Sequence, residues 1–151
     1  MSERSERVFR EYIAGASLAF GLVLLTFQTV SAYFGYSGRG WEGLSGYSDT
    51  FFALFLGVHI TGGVLSGYLV GRRREEKTVQ AGVVTAVLAY IIEYIYYIIF
   101  ERAFPGSLWA LIGFVGGGAF GAYLATIQRY RGRLRSSLAH AQPNHEIKPS
   151  G

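Results

Sequence analysis

Charged residues in this chain are crowded into short stretches. Between them lie four windows of about twenty residues with almost no charge: Ile13 to Phe34, Phe51 to Gly71, Val79 to Phe100 and Ser107 to Ile127. A helix needs about 20 apolar residues to cross roughly 30 Å of hydrocarbon, so each window predicts a transmembrane helix. The chain is therefore expected to be all-α, a four-helix transmembrane bundle built from two helical hairpins. Residues 1–128 form the membrane domain, with spans at about 13–34, 51–71, 79–100 and 107–127. Residues 129–151 form a basic, disordered tail.

The connectors assign a sidedness. Of the fourteen Lys and Arg, three precede the first span, one lies in the first loop, four in "RRREEKT" (Arg72 to Thr78), one in the third loop and five in the tail. The positive-inside rule then puts both termini and the second loop in the cytoplasm of a cell-membrane protein. Trp41, Trp109, Tyr33, Tyr36 and Tyr47 fall near the outer interface, where amphipathic rings are favoured. The net charge of +4 is thus a topological asymmetry and not a nucleic-acid footprint. Arg72, Arg73, Arg74, Arg129, Arg131, Arg133 and Arg135 are expected to meet lipid headgroups, at about 1 kcal/mol per basic residue near the surface. With no Cys, a disulfide framework and thiolate chemistry are both ruled out. Arg4, Arg7 and Arg10 ahead of an apolar run ending in "VSA" have the outline of a cleavable secretory signal. The intervening Glu3, Glu6 and Glu11 and the length of the run favour a retained span.

Small residues carry the packing argument. Apolar burial gives helices no advantage in lipid, so close backbone approach at Gly, Ala and Ser becomes a main source of association. Gly63, Gly67 and Gly71 form one four-residue series and Gly113, Gly117 and Gly121 another, each a single helical stripe. These stripes are expected contact faces, within one subunit or between copies in a homo-oligomer or with a partner membrane protein. "GGVLSGYLVG" (Gly62 to Gly71) also matches "GGAFGAYLAT" (Gly117 to Thr126), which suggests two hairpins in the same orientation. On the first span Ala14, Ser17, Gly21, Gln28 and Ser31 share a face, which is expected to point inward.

In "AYIIEYIYYIIF" (Ala89 to Phe100) one carboxylate, Glu93, interrupts an apolar and aromatic run. At 1.5 Å per residue it lies about 10 Å below the outer edge of the hydrocarbon. Gln28, six residues before Phe34, and His59, eight after Phe51, share that depth on two other helices. A lipid-facing ionisable group is unfavourable by about 2.5 to 3.5 kcal/mol on insertion scales, so an inward cluster is the cheaper arrangement. Glu93 and His59 are expected to pair, with Gln28 and a tyrosine such as Tyr90 or Tyr97 completing the shell. The first reading of this cluster is interhelical glue in a structural or accessory membrane protein. The alternative is a proton- or cation-handling site in a small channel or proton-coupled transporter.

Other constellations are thinner. His140 and His145 in "HAQPNH" read as solvated tail residues, so no metal site is expected. The glycine-rich stretches lack the Lys-Ser/Thr of a phosphate cradle, and no Ser/His/Asp set stands in a plausible context. Enzymatic activity and cofactors are not expected.

The layout "GVHITGGVLSGYLVGRRR", then "TVQAGVVTAVLAY", then a last glycine-rich helix resembles the small four-span, glycine-rich membrane proteins of archaea and bacteria whose function is unknown. The resemblance covers about Phe51 to Ile127 and implies a fold and a location, with no activity. Small multidrug transporters are similar in size and span number but carry their essential Glu in the first helix, where this chain offers only Gln28 at depth.

Overall fold

The structure, a computed structural model, describes residues 3–36, 48–101 and 108–141. Trp41, Tyr47 and His145 lie outside the described residues. The described chain forms four helices: α1 Glu3–Tyr36, α2 Ser48–Arg72, α3 Thr78–Tyr96 and α4 Leu108–Ala141. A π-helical turn, Tyr97–Glu101, continues α3. Each of the four helices is long and apolar enough to cross a membrane.

Two helices outrun their expected spans. α1 begins well before Ile13, where Glu3 and Glu6 in its first turn face the positive end of the helix dipole. Arg10 bonds Glu6 one turn back at 2.6 Å. α4 does not stop at Ile127, so the segment expected as a tail from residue 129 is helical as far as Ala141. The extension is mostly Arg, Leu, Ser and Ala, all tolerated in helices.

Burial is inverted relative to a water-soluble domain. Leu25, Ile99, Phe100 and Phe120 stand on the outside, while the largest fully buried side chains include His59, Glu93, Thr85 and Ser66. Such an exterior suits hydrocarbon, and the polar interior is the costly part that needs its own bonding.

Inside, the helices meet at small residues. α2 and α4 run side by side in the same direction. Gly63 lies against Phe114 and Gly118, Gly117 against Ile60, and Gly121 against Val64. A Cβ added to Gly63, Gly67, Gly117 or Gly121 would collide with backbone atoms of the facing helix. Gly71 nears the Ala122 backbone, and Gly113 nears the His59 side chain. Both expected stripes therefore face each other within the chain. α3 joins the seam where Gly82 touches the Gly118 carbonyl, so three helices converge on Gly118.

α1 packs against α2 and α3, as does α4, and among the described residues the backbones of α1 and α4 stand apart. The inward face of α1 is not the expected one. Ala14, Ser17, Gly21 and Gln28 are exposed, and Ser31 is half-buried. Gly15, Ala16, Ala19 and Val23 are buried instead. Gly15 shows why: a Cβ there would meet Thr85 Cγ2 and Val70 Cγ2 at 2.8 Å, so the closest approach of α1 to its neighbours runs along that stripe.

Candidate functional site

The spacing on α3 places Glu93 inward. Thr78, Ala81, Gly82, Thr85, Ala86, Ala89 and Glu93 are its buried residues, recurring every three or four positions, so Glu93 ends a small-residue stripe. On α2, His59 falls one turn before Gly63 on the face that meets α4, where a Cβ added to Gly113 would crowd the His59 Cβ at 3.0 Å. The two stripes bring the expected partners together. His59 Nε2 lies 3.1 Å from Glu93 Oε1, with side-chain exposures of 0% and 2%.

Hydrogen-bond bookkeeping restricts what this pair can be. His59 Nδ1 lies 2.6 Å from the Phe55 carbonyl oxygen. A carbonyl only accepts, so Nδ1 carries a hydrogen. The Nε2–Oε1 contact then needs one proton, on nitrogen facing a carboxylate or on oxygen facing a neutral ring. With none, two lone pairs would face each other; a second proton could sit only on Oε2, outside this contact. With the one proton that the contact needs, the pair is neutral overall, the form that is least unfavourable in a low-dielectric interior. Glu93 Oε2 is buried and has no hydrogen-bond partner among the described residues.

Aromatic rings close around the histidine. Phe55 lies 4.3 Å away, Phe114 stands edge-on at 4.9 Å and Phe27 is 6.2 Å distant, centroid to centroid. These rings come from α2, α4 and α1, so with Glu93 all four helices contribute to the site. Sequence reasoning missed them. The available signals were Phe55 one turn before His59, and Phe114 beside a glycine of the packing stripe.

The other expected members divide. Tyr90 is half-buried and packs against the alanine core. Tyr97 is half-buried, and its backbone N–H bonds the Glu93 carbonyl. Gln28 does not join the cluster: it points out of the helix assembly, and its neighbour Phe27 takes the inward position. Among the described residues no three His, Cys, Asp or Glu side chains gather as a metal site.

A second polar assembly lies at the end of the protein that holds the α2–α3 turn. Arg129 of α4 donates from Nη2 to the carbonyls of Gly71 at 2.8 Å and Arg72 at 3.4 Å, and from Nη1 to that of Glu75 at 3.3 Å. It thereby satisfies the last carbonyls of α2, which a helix leaves without internal partners. Arg74 bonds Glu11 of α1 at 3.0 Å and lies 5.0 Å over the Tyr12 ring. Tyr68 donates to Gln128 Oε1. Arg74 and Arg129, expected at headgroups, are thus bonded to the protein itself. Arg72, Arg73, Arg131, Arg133 and Arg135 are exposed. Lys77, in the turn, holds a left-handed backbone with φ 53° immediately before α3.

Comparison of the chain with known protein families, curated proteins and solved structures finds no match.

Proposed function

We propose that this chain is a structural or accessory multi-pass protein of the cell membrane, in which the His59–Glu93 pair holds α2 to α3. In this reading it consists of two helical hairpins with both termini cytoplasmic, because twelve of its fourteen Lys and Arg fall on that side. It belongs among the small four-span proteins of archaea and bacteria that its sequence resembles, and it has no enzymatic activity. Its immediate partner is the bilayer, with the exposed Arg131, Arg133 and Arg135 at anionic headgroups. The observation that carries the proposal is the sealing of the pair. Both side chains are almost wholly inaccessible and ringed by phenylalanines, an arrangement suited to holding helices and unsuited to passing ions. Interhelical hydrogen bonds of this kind contribute about 1 kcal/mol or less in membranes.

A second reading makes the same pair a proton-handling site in a small channel or proton-coupled transporter. It is favoured by the unpartnered Glu93 Oε2, which could accept a further proton, and by the π-helical turn one turn beyond, a feature frequent at functional sites. The test is proton and monovalent-cation flux into vesicles containing the purified protein, comparing the natural chain with Glu93→Gln and His59→Ala. The structural role requires fluxes equal to those of protein-free vesicles, with both variants melting at lower temperature. A flux that Glu93→Gln abolishes would establish the second reading.

A further inference from the structure

We infer that Glu93 is a carboxylic acid in the folded protein: the single proton of the pair sits on Oε1 and is donated to Nε2 of a neutral His59. The inference concerns the same pair as the proposed helix-holding role and is independent of it, since both readings of the pair accommodate an acid.

Two one-proton forms satisfy the 3.1 Å contact between His59 Nε2 and Glu93 Oε1. In the first, an imidazolium carries hydrogens on both ring nitrogens and Nε2 donates to a carboxylate. In the second, Oε1 donates to the bare Nε2 of a neutral ring. Nδ1 donates to the Phe55 carbonyl at 2.6 Å in both forms, so that bond does not separate them. The difference lies at the far oxygen of the carboxyl group.

In the ion pair, Oε2 holds half of a negative charge and needs donors of its own. Among the described residues it meets none, and it is enclosed too closely for a water molecule to touch it. A buried ion pair is tolerated only where further hydrogen bonds satisfy its remaining lone pairs, and here that condition fails. In the acid, Oε2 is an uncharged carbonyl oxygen, for which a missing partner is penalised less than for a charged group. The surroundings weigh the same way. Phe27, Phe55 and Phe114 close around the ring, and the Glu93 side chain is almost wholly inaccessible, so solvent does not offset a separated charge. Phenyl faces can favour an imidazolium, but they do nothing for the bare carboxylate oxygen.

The polar level of the bundle is then held without any formal charge, by an acid that donates and a histidine tautomer fixed by the backbone of its own helix. A glutamine at position 93 reproduces the arrangement atom for atom. Its amide N–H takes the place of Oε1–H, and its carbonyl oxygen takes the place of Oε2.

The test uses the full chain in lipid vesicles at neutral pH. Nitrogen NMR on histidine-labelled protein, with the His59 signals identified by their loss in His59→Ala, should show one N–H nitrogen and one bare nitrogen in the ring. Glu93→Gln should leave that pattern as it is, whereas an ion pair requires Nε2 to lose its hydrogen once the carboxylate is gone. The infrared spectrum of the natural chain minus that of Glu93→Gln should contain the carbonyl stretch of a protonated carboxyl group, shifted to the high-frequency position of a carbonyl that accepts no hydrogen bond. Two N–H nitrogens on His59 in the natural chain, or a carboxylate stretch in place of the acid band, overturns the inference. The nitrogen pattern of the natural chain decides the matter even if Glu93→Gln does not fold. Neither readout involves flux or melting temperature. A carboxylate at position 93 therefore leaves the helix-holding role standing, and a flux that Glu93→Gln abolishes overturns that role without moving the proton.

Discussion

The interior of this protein has two levels about 16 Å apart along α3, judged from the eleven residues between Gly82 and Glu93, and they hold the helices by different means. Around Gly118 the seam is backbone against backbone, with glycines of α2, α3 and α4 so close that no side chain fits. Around His59 and Glu93 the helices stand far enough apart to enclose an imidazole, a carboxylate and three phenyl rings. In lipid, only shape and polar bonding discriminate one helix face from another. The glycine level fixes distance and direction but has little to say about rotation or slip along the seam. The polar level supplies that register, because a proton must lie between Nε2 and Oε1. On the structural role proposed for the pair, the contrast explains how a weak bond can matter: it selects one arrangement of helices that the glycines already hold.

The largest expected effect comes from attacking the glycine level. Gly118→Val would drive methyl groups into the Gly82 backbone, where even a Cβ would lie 2.7 Å from the Gly82 carbonyl oxygen, and the Ala86 side chain stands at 2.8 Å. Overpacking of this kind typically lowers stability by 1–3 kcal/mol, and the upper end, about 3 kcal/mol, is expected here because the obstructing atom is backbone. Thermal unfolding in detergent or lipid reads the loss directly. Next comes Arg129→Ala, which strips two accepted bonds from the end of α2 and one from the α2–α3 turn and should lower stability by about 1–2 kcal/mol. Because that end is partly exposed, water recovers some of the loss, and Arg129→Lys should restore only a fraction of it, having no fork to span several carbonyls.

At the polar level, Glu93→Gln keeps the size and one hydrogen-bonding arrangement with His59, so the expected loss is below about 1 kcal/mol. If Glu93→Gln proves as disruptive as Gly118→Val, the division of labour between the two levels is wrong. The smallest effect is a gain. Lys77 holds φ 53° immediately before α3, a conformation that an L residue adopts at a cost of roughly 1 kcal/mol. Lys77→Gly relieves it, less the greater freedom that glycine has when unfolded, for a net stabilisation of about 0.5 kcal/mol in the same melting assay.

The four spans were legible because charge density alone separates water from hydrocarbon. The pairing of His59 with Glu93 was legible for two reasons: matched depth is fixed by counting residues, and both lie on stripes of small residues that have to face inward. The orientation of α1 was not. Ala14, Ser17 and Gly21 and Gly15, Ala16 and Ala19 are two small-residue stripes on one helix, and ranking them by polarity chose the one that carries Gln28. The protein uses the stripe that allows the closest approach to Val70 and Thr85, a choice set by the surfaces of α2 and α3 and absent from the periodicity of α1. The helical course of residues 129–141 was hidden by composition, since an arginine-rich segment reads as a tail until something such as the Arg129 clasp continues the helix through it. The phenylalanine ring around His59 is a property of three helices together, and no single segment announces it.

The central claim is that His59 and Glu93 stabilise one arrangement of α2 and α3 by acting on each other. The most direct measurement is a double-mutant cycle on unfolding in lipid, using His59→Ala, Glu93→Ala and the pair of substitutions together. A coupling of about 0.6 to 1.7 kcal/mol is expected, the second substitution costing much less once the first is made. Strictly additive losses, with no coupling between the two positions, would contradict the account.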